Sequence, residues 1–120
     1  MPHLVIEYTD NLALPDPASC LSTVNAALAA SGQFEEADIK SRAYPVAAFR
    51  IGTEHAGRAF VAARLSILSG RSLETKQDLS QRVLLALQRH VPPAPGLSTQ
   101  VSVEVVEIER STYAKCVVEA

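Results

Sequence analysis

Phe60-Val61-Ala62-Ala63-Arg64-Leu65-Ser66-Ile67-Leu68, continued by Ser69-Gly70-Arg71-Ser72-Leu73-Glu74-Thr75-Lys76, is the stretch that decides how the chain folds. Val61, Ala63, Leu65 and Ile67 alternate with Arg64 and Ser66, the period of a strand with one buried face. Gly70 then supplies a tight turn, Ser72 carries the oxygen of a helix cap, and Glu74 sits in the first turn, where the helix dipole favours a carboxylate. Leu79, Val83, Leu87 and Val91 follow at helical spacing until Pro92-Pro93 ends the run. Residues 97–109 return to strand, with Val101-Ser102-Val103-Glu104-Val105 alternating cleanly. In Val106-Glu107-Ile108 the apolar phase slips by one, which predicts a bulge near Val105 or Val106. Strand, helix and strand make a βαβ unit whose two strands run parallel.

The first half of the chain has the same grammar. It opens with Met1-Pro2-His3-Leu4-Val5-Ile6-Glu7-Tyr8-Thr9-Asp10-Asn11-Leu12, in which Leu4-Val5-Ile6 reads as a strand. Asp10-Asn11 and Pro15-Asp16-Pro17 read as a loop, with Asp16 placed to cap a helix and Pro17 in the first-turn position that tolerates proline. Leu21, Val24 and Leu28 give the helix its apolar stripe, and Ser31-Gly32 closes it where a left-handed residue is wanted. Residues 39–51 predict a second strand, and Pro45 places part of it at an edge or bulge. Gly52-Thr53-Glu54-His55-Ala56-Gly57 predicts a hairpin connection, with His55 a solvated loop residue.

The whole is therefore one domain, 1–120, of the α/β class (α+β in some schemes). It is a duplicated βαβ unit, with pseudo-repeats at about 2–58 and 59–110, forming a four-stranded sheet with two helices on one face. Residues 111–120 are a tail, in which 113–118 are expected to add one more short strand, to a neighbour's sheet. Exposed sheet edges in so small a protein favour association.

Composition excludes several classes. Of 120 residues 48% are hydrophobic and 5% aromatic, with no tryptophan, so the core must come from Leu, Val, Ile and Ala. A net charge of −2 argues against a nucleic-acid partner. No apolar run is long enough to cross a bilayer and no secretory leader is apparent, so the expected location is cytoplasmic, with no membrane partner. Cys20 and Cys116 read as two reduced thiols, and His3, His55 and His90 lack ligand spacing, so neither metal nor cofactor is implied.

Chemistry points to the amino terminus. If Met1 is removed, Pro2 becomes a secondary amine held in a rigid ring, and apolar burial with nearby cations would lower its pKa toward neutrality, where it works as a base. From position alone Pro2 is a tolerated first residue of a strand. The Gly70-Arg71-Ser72 block changes that balance. With Pro2 laid over Val61, Arg71 falls opposite Leu12, so one half supplies an amine and the other an arginine.

Met1-Pro2-His3 with its hydrophobic run and Glu7, Ile39-Lys40-Ser41-Arg42, and Gly70-Arg71-Ser72-Leu73-Glu74 together resemble the tautomerase superfamily, and within it the 5-carboxymethyl-2-hydroxymuconate delta-isomerase family. The resemblance covers nearly the whole chain. It implies a homotrimer, a cofactor-free site, and catalysis by the freed proline in aromatic-compound catabolism. Its implied substrate is a small anionic dienol whose hydroxyl proton moves to a distant carbon. Pro2 and Arg71 are the catalytic candidates, and Arg42 and Lys40 the substrate-binding ones. Relatives carry arginine at the position of Lys40; lysine keeps the charge but loses the bidentate fork, which leaves Arg42 a competing candidate. His3 should point away from Pro2 by alternation, and His90 should interact with a helix dipole. Three other readings stay open: another proline-based enzyme of the superfamily (a phenylpyruvate tautomerase, decarboxylase or dehalogenase), a non-enzymatic trimeric binding module, and an unrelated ferredoxin-like ligand-binding domain.

Overall fold

In the computed structural model, which describes residues 1–14, 16–54 and 56–120, four strands and two helices alternate along the chain. They are β1 (His3–Thr9), α1 (Pro17–Ala30), β2 (Lys40–Val46), β3 (Arg58–Leu68), α2 (Leu73–Gln88) and β4 (Ser98–Ile108), with short 3-10 turns at Glu36–Asp38 and Arg110–Thr112. The sheet order is β2-β1-β3-β4. β1 runs parallel to β2 and β3 parallel to β4, while β1 and β3 meet antiparallel in the middle.

Local chemistry sets the helix ends. Asp16 accepts the N–H of Ser19 at 3.2 Å, and Pro17 opens α1, where its missing N–H would have had no partner. Gly32, at φ +76°, turns the chain out of α1 in the left-handed conformation that a Cβ would disfavour. Ser72 caps α2 by accepting the N–H of Thr75 at 3.1 Å. Both helices lie on one face of the sheet, where Val24 and Leu28 of α1 and Leu79, Val83 and Leu87 of α2 meet Leu4, Ile6, Val61, Leu65 and Ile67. α2 ends at Gln88, short of Val91, because the chain turns at Arg89 and His90; Val91 still packs on the core. His90 does not simply face a dipole: its Nε2 lies 2.9 Å from the Thr23 hydroxyl on α1, tying the two helices together.

Three expectations differ from the structure. The second strand stops at Val46 rather than Ile51, because its partner Thr9 is the last residue of β1 and the chain there turns, with Asp10 donating to the Val46 carbonyl at 3.0 Å. Pro45 does lie on an edge strand. Residues 52–57 are no hairpin between paired strands, since β1 separates β2 from β3; the connection must cross over, and an isolated Ile51–Glu54 bridge makes only a local turn. His55 lies outside the described residues. β4 pairs with β3 without a break from Arg58–Ser98 to Leu68–Ile108, so there is no bulge at Val105 or Val106. The change of pattern has another cause: Glu107 stays on the helical face and pairs with Lys76 of α2, while Val106 and Ile108 point to the opposite face. Residues 113–120 form no strand within the chain.

The helix-free face of the sheet is mixed rather than polar. Arg64 and Glu104, directly opposite in register, pair at 2.9 Å beside half-buried Val5 and Val106. At the β1–β2 seam Arg42 Nη1 lies 3.4 Å from His3 Nδ1, and His3 Nε2 lies 3.3 Å from the Tyr113 hydroxyl. Since the guanidinium can only donate, Nδ1 accepts and Nε2 carries the hydrogen. Burial, followed by the positive charges of Arg42, Lys40 and the amino terminus, holds His3 below the ordinary histidine value.

Leu65, fully buried, should lose about 2–5 kcal/mol of stability as Leu65→Ala in urea denaturation, and Ser72→Ala about 1 kcal/mol through its lost cap. For His3, the folded state favours the neutral ring, so stability from this residue falls as pH drops below about 6.5, where the unfolded histidine takes up a proton. Arg42→Ala removes one of the opposing charges and should raise the His3 pKa in an NMR titration; an unchanged or lower value would refute the assignment.

Candidate active site

The strand pairing gathers residues distant in sequence at one end of the sheet. Antiparallel pairing of His3 with Ser66 sets the start of β1 beside the end of β3. Parallel pairing then adds Lys40, the start of β2, next to His3, and Ile108, the end of β4, next to Leu68. A cleft of about 310 Å³ opens there, lined by Met1, Gln33, Phe34, Asp38, Arg71 and Arg110, among others. Larger grooves of about 470 and 580 Å³ lie beside Leu84 and Leu97 and between α1 and the Glu36–Asp38 turn, with no cation in their described linings, and one of about 370 Å³ between the helices has Arg82 and Arg89 but none of the residues of the amino-terminal end.

Pro2 is buried behind Met1, and its carbonyl accepts the Lys40 N–H at 3.1 Å. With Met1 attached its nitrogen is an amide. The Met1 amine, 3.7 Å from Asp38 Oδ2, is held below its ordinary value by burial, with Lys40 and Lys115 acting in the same direction and Asp38 opposing. For the Met1 amine, burial and the two lysines together outweigh Asp38, and the neutral form is favoured.

Arg71 reaches the same cleft from the turn after β3. Its Nε donates to Gln33 Oε1 at 3.2 Å, Nη2 to the Gln33 carbonyl at 3.0 Å, and Nη1 to the Leu68 carbonyl at 3.3 Å. The guanidinium carbon stands 4.7 Å from the centre of the Phe34 ring, a cation–π arrangement. Burial, and then the neighbouring Arg110, push its pKa down. Neutral acceptors and an aromatic face thus fix the group in place without neutralising its charge.

Lys40 does not line the cleft but sits at its back, donating to the Asp38 carbonyl at 2.7 Å. Arg42, two residues further along β2, is exposed on the helix-free face beside His3, away from the cleft of its own chain. So the structure brings together the Pro2 end and Arg71, with Lys40 adjacent and Arg42 apart. His3 does point away from Pro2.

Three participants have no signal in the sequence. Asp38 accepts from Lys115 at 2.6 Å, and that bond above all holds its carboxyl below the usual carboxylate range. Lys115 comes from the tail, 77 residues away. Arg110 anchors itself by donating from Nε to the Ser69 carbonyl at 3.1 Å. Only knowledge of the strand order would have placed these side chains beside Met1. Cys20 and Cys116 are both free, the first buried and the second exposed. Among the described residues no group of three or more His, Cys, Asp or Glu is placed to hold a metal, and no helix is long and apolar enough to cross a membrane.

Comparison with known proteins bears on this geometry. The family model for 5-carboxymethyl-2-hydroxymuconate isomerase matches residues 2–118. The chain is 33% identical over 91 residues, 75% of its length and 72% of the relative's, to a 5-carboxymethyl-2-hydroxymuconate Delta-isomerase of Escherichia coli. Among solved structures, a 5-carboxymethyl-2-hydroxymuconate isomerase from Deinococcus radiodurans R1 superposes with a TM-score of 0.81 at 31% identity, covering 96% of this chain and 88% of that one. A symmetric trimer of fused 4-OT shares the fold alone, with a TM-score of 0.72 at 18% identity, covering 91% of this chain and 87% of that one. The chain belongs to the 5-carboxymethyl-2-hydroxymuconate isomerase family and is an isomerase of the tautomerase superfamily.

Proposed function

We propose that this isomerase converts 5-carboxymethyl-2-hydroxymuconate to its 2-oxo isomer, as a step of aromatic-compound catabolism, with Pro2 as the base once Met1 has been removed. The observation that carries this reading is the meeting of the amino-terminal end of β1 and an unneutralised Arg71 in one cleft. Removal of Met1 would turn the Pro2 nitrogen from an amide into a ring amine one residue from the Met1 amine, whose own pKa burial, Lys40 and Lys115 lower against the pull of Asp38.

In the reaction the enol O–H bond breaks and its proton passes to the Pro2 nitrogen. The oxygen's electron pair becomes part of the new C=O bond, the diene electrons shift along the chain, and the distant carbon takes the proton back from Pro2. Nothing is oxidised or reduced. Arg71 binds a carboxylate and stabilises negative charge developing at the 2-oxygen; being already oriented, it needs little rearrangement in the transition state. Lys40, or Arg42 reaching into a neighbouring protomer's cleft, holds the other end of the substrate. That last role requires a neighbouring protomer; the trimeric 4-OT neighbour and the half-buried apolar residues on the helix-free face support a homotrimer.

Ketonisation of 5-carboxymethyl-2-hydroxymuconate, followed by ultraviolet absorbance with protein shown by intact mass to lack Met1, tests the assignment. Pro2→Ala should lower kcat by about 10²–10⁴, and Arg71→Ala should lower kcat/KM by about 10²–10³. Protein that retains Met1 should be inactive. Turnover no faster than the uncatalysed reaction, or turnover indifferent to Pro2→Ala, would sink the proline mechanism.

A further inference from the structure

The cleft holds two guanidinium groups. Arg110, immediately after β4, lines it together with Arg71 and Met1. Its backbone N–H lies 3.3 Å from the Ser69 hydroxyl and its Nε donates to the Ser69 carbonyl, so both ends of the residue are tied to the turn that carries Arg71. Its Nη2 lies 3.8 Å from where a Cβ on Gly70 would stand, an ordinary contact distance, so Arg110 packs over this turn; the φ of +120° at Gly70 is what calls for glycine there.

Two like charges facing one small cleft are costly unless something negative joins them. Among the described residues neither Arg71 nor Arg110 has a carboxylate within 4.0 Å. Two carboxylates do line the cleft, Glu35 and Asp38. Asp38 is already engaged by Lys115 and the Met1 amine, and Glu35 has no ion-pair partner among the described residues. Among the described residues the Arg110 guanidinium is tied by Nε alone, which leaves its two terminal nitrogens, the edge of the fork that grips a carboxylate.

We infer that Arg110 is a specificity-determining residue, which takes a second carboxylate of the ligand while Arg71 takes the first, so that the cleft selects dianions over monoanions. The inference rests on the isomerase reading for its substrate but on the geometry of Arg71 and Arg110 for its charge preference.

Binding without turnover tests it. Muconate, a six-carbon diene with two carboxylates, and sorbate, its counterpart with one, lack the enol and are titrated calorimetrically into methionine-free wild type, Arg110→Ala and Arg110→Lys. Wild type should bind muconate about tenfold or more tightly than sorbate, as expected for a charge-assisted hydrogen bond. Arg110→Ala should lose that preference while holding sorbate as before, and Arg110→Lys should restore part of it. If Arg110→Ala keeps the preference, or weakens both ligands equally as loss of the Ser69 tether alone would do, the inference is overturned. A wild type without preference overturns it too. A wild type that shows the Arg110-dependent preference yet isomerises no enol would refute the proposed reaction and leave this inference standing.

Discussion

The antiparallel seam between β1 and β3 is the constraint on which everything else depends. Each βαβ unit contributes a parallel pair, and a parallel pair alone places its two strand starts at one end and its two strand ends at the other. Joining the units head to tail through β1 and β3 superimposes the starts of one pair on the ends of the other. Met1 and Lys40 therefore meet Arg71 and Arg110. A register slip of one residue at this seam would move Leu4 and Ile6 off the helical face, so the core that buries them also holds the site in alignment.

Much of the architecture was legible in the sequence because its signals are local. Strand period, the Asp16 and Ser72 caps, and Gly32 each depend on a few neighbouring residues, and the structure uses all of them. The errors arose where the deciding partner was distant. Val46 ends β2 because β1 ends at Thr9. The apparent slip at Val106 reflects Lys76 on α2, and not any irregularity of backbone. Arg71 stood out through its glycine and its helix cap, whereas Arg110 has no such setting and acquires its place only from the ladder between β3 and β4.

The site balances charge by unequal means. Arg71 is positioned by carbonyl and amide oxygens and by Phe34, which orient a cation without cancelling it. Asp38, in contrast, is matched to Lys115. Positive potential therefore remains on the side of Arg71 and Arg110, where an anion gains most from it in a partly desolvated cleft.

The cleft draws its lining from residues 1, 33, 38, 71 and 110, spread over almost the full length of the chain. Such a set exists only when every segment between its members is in place, so the cleft is a property of the complete sheet and of neither half alone. Ligand binding therefore reports completion of the whole sheet, whereas far-ultraviolet circular dichroism reports helices that each form from a single segment.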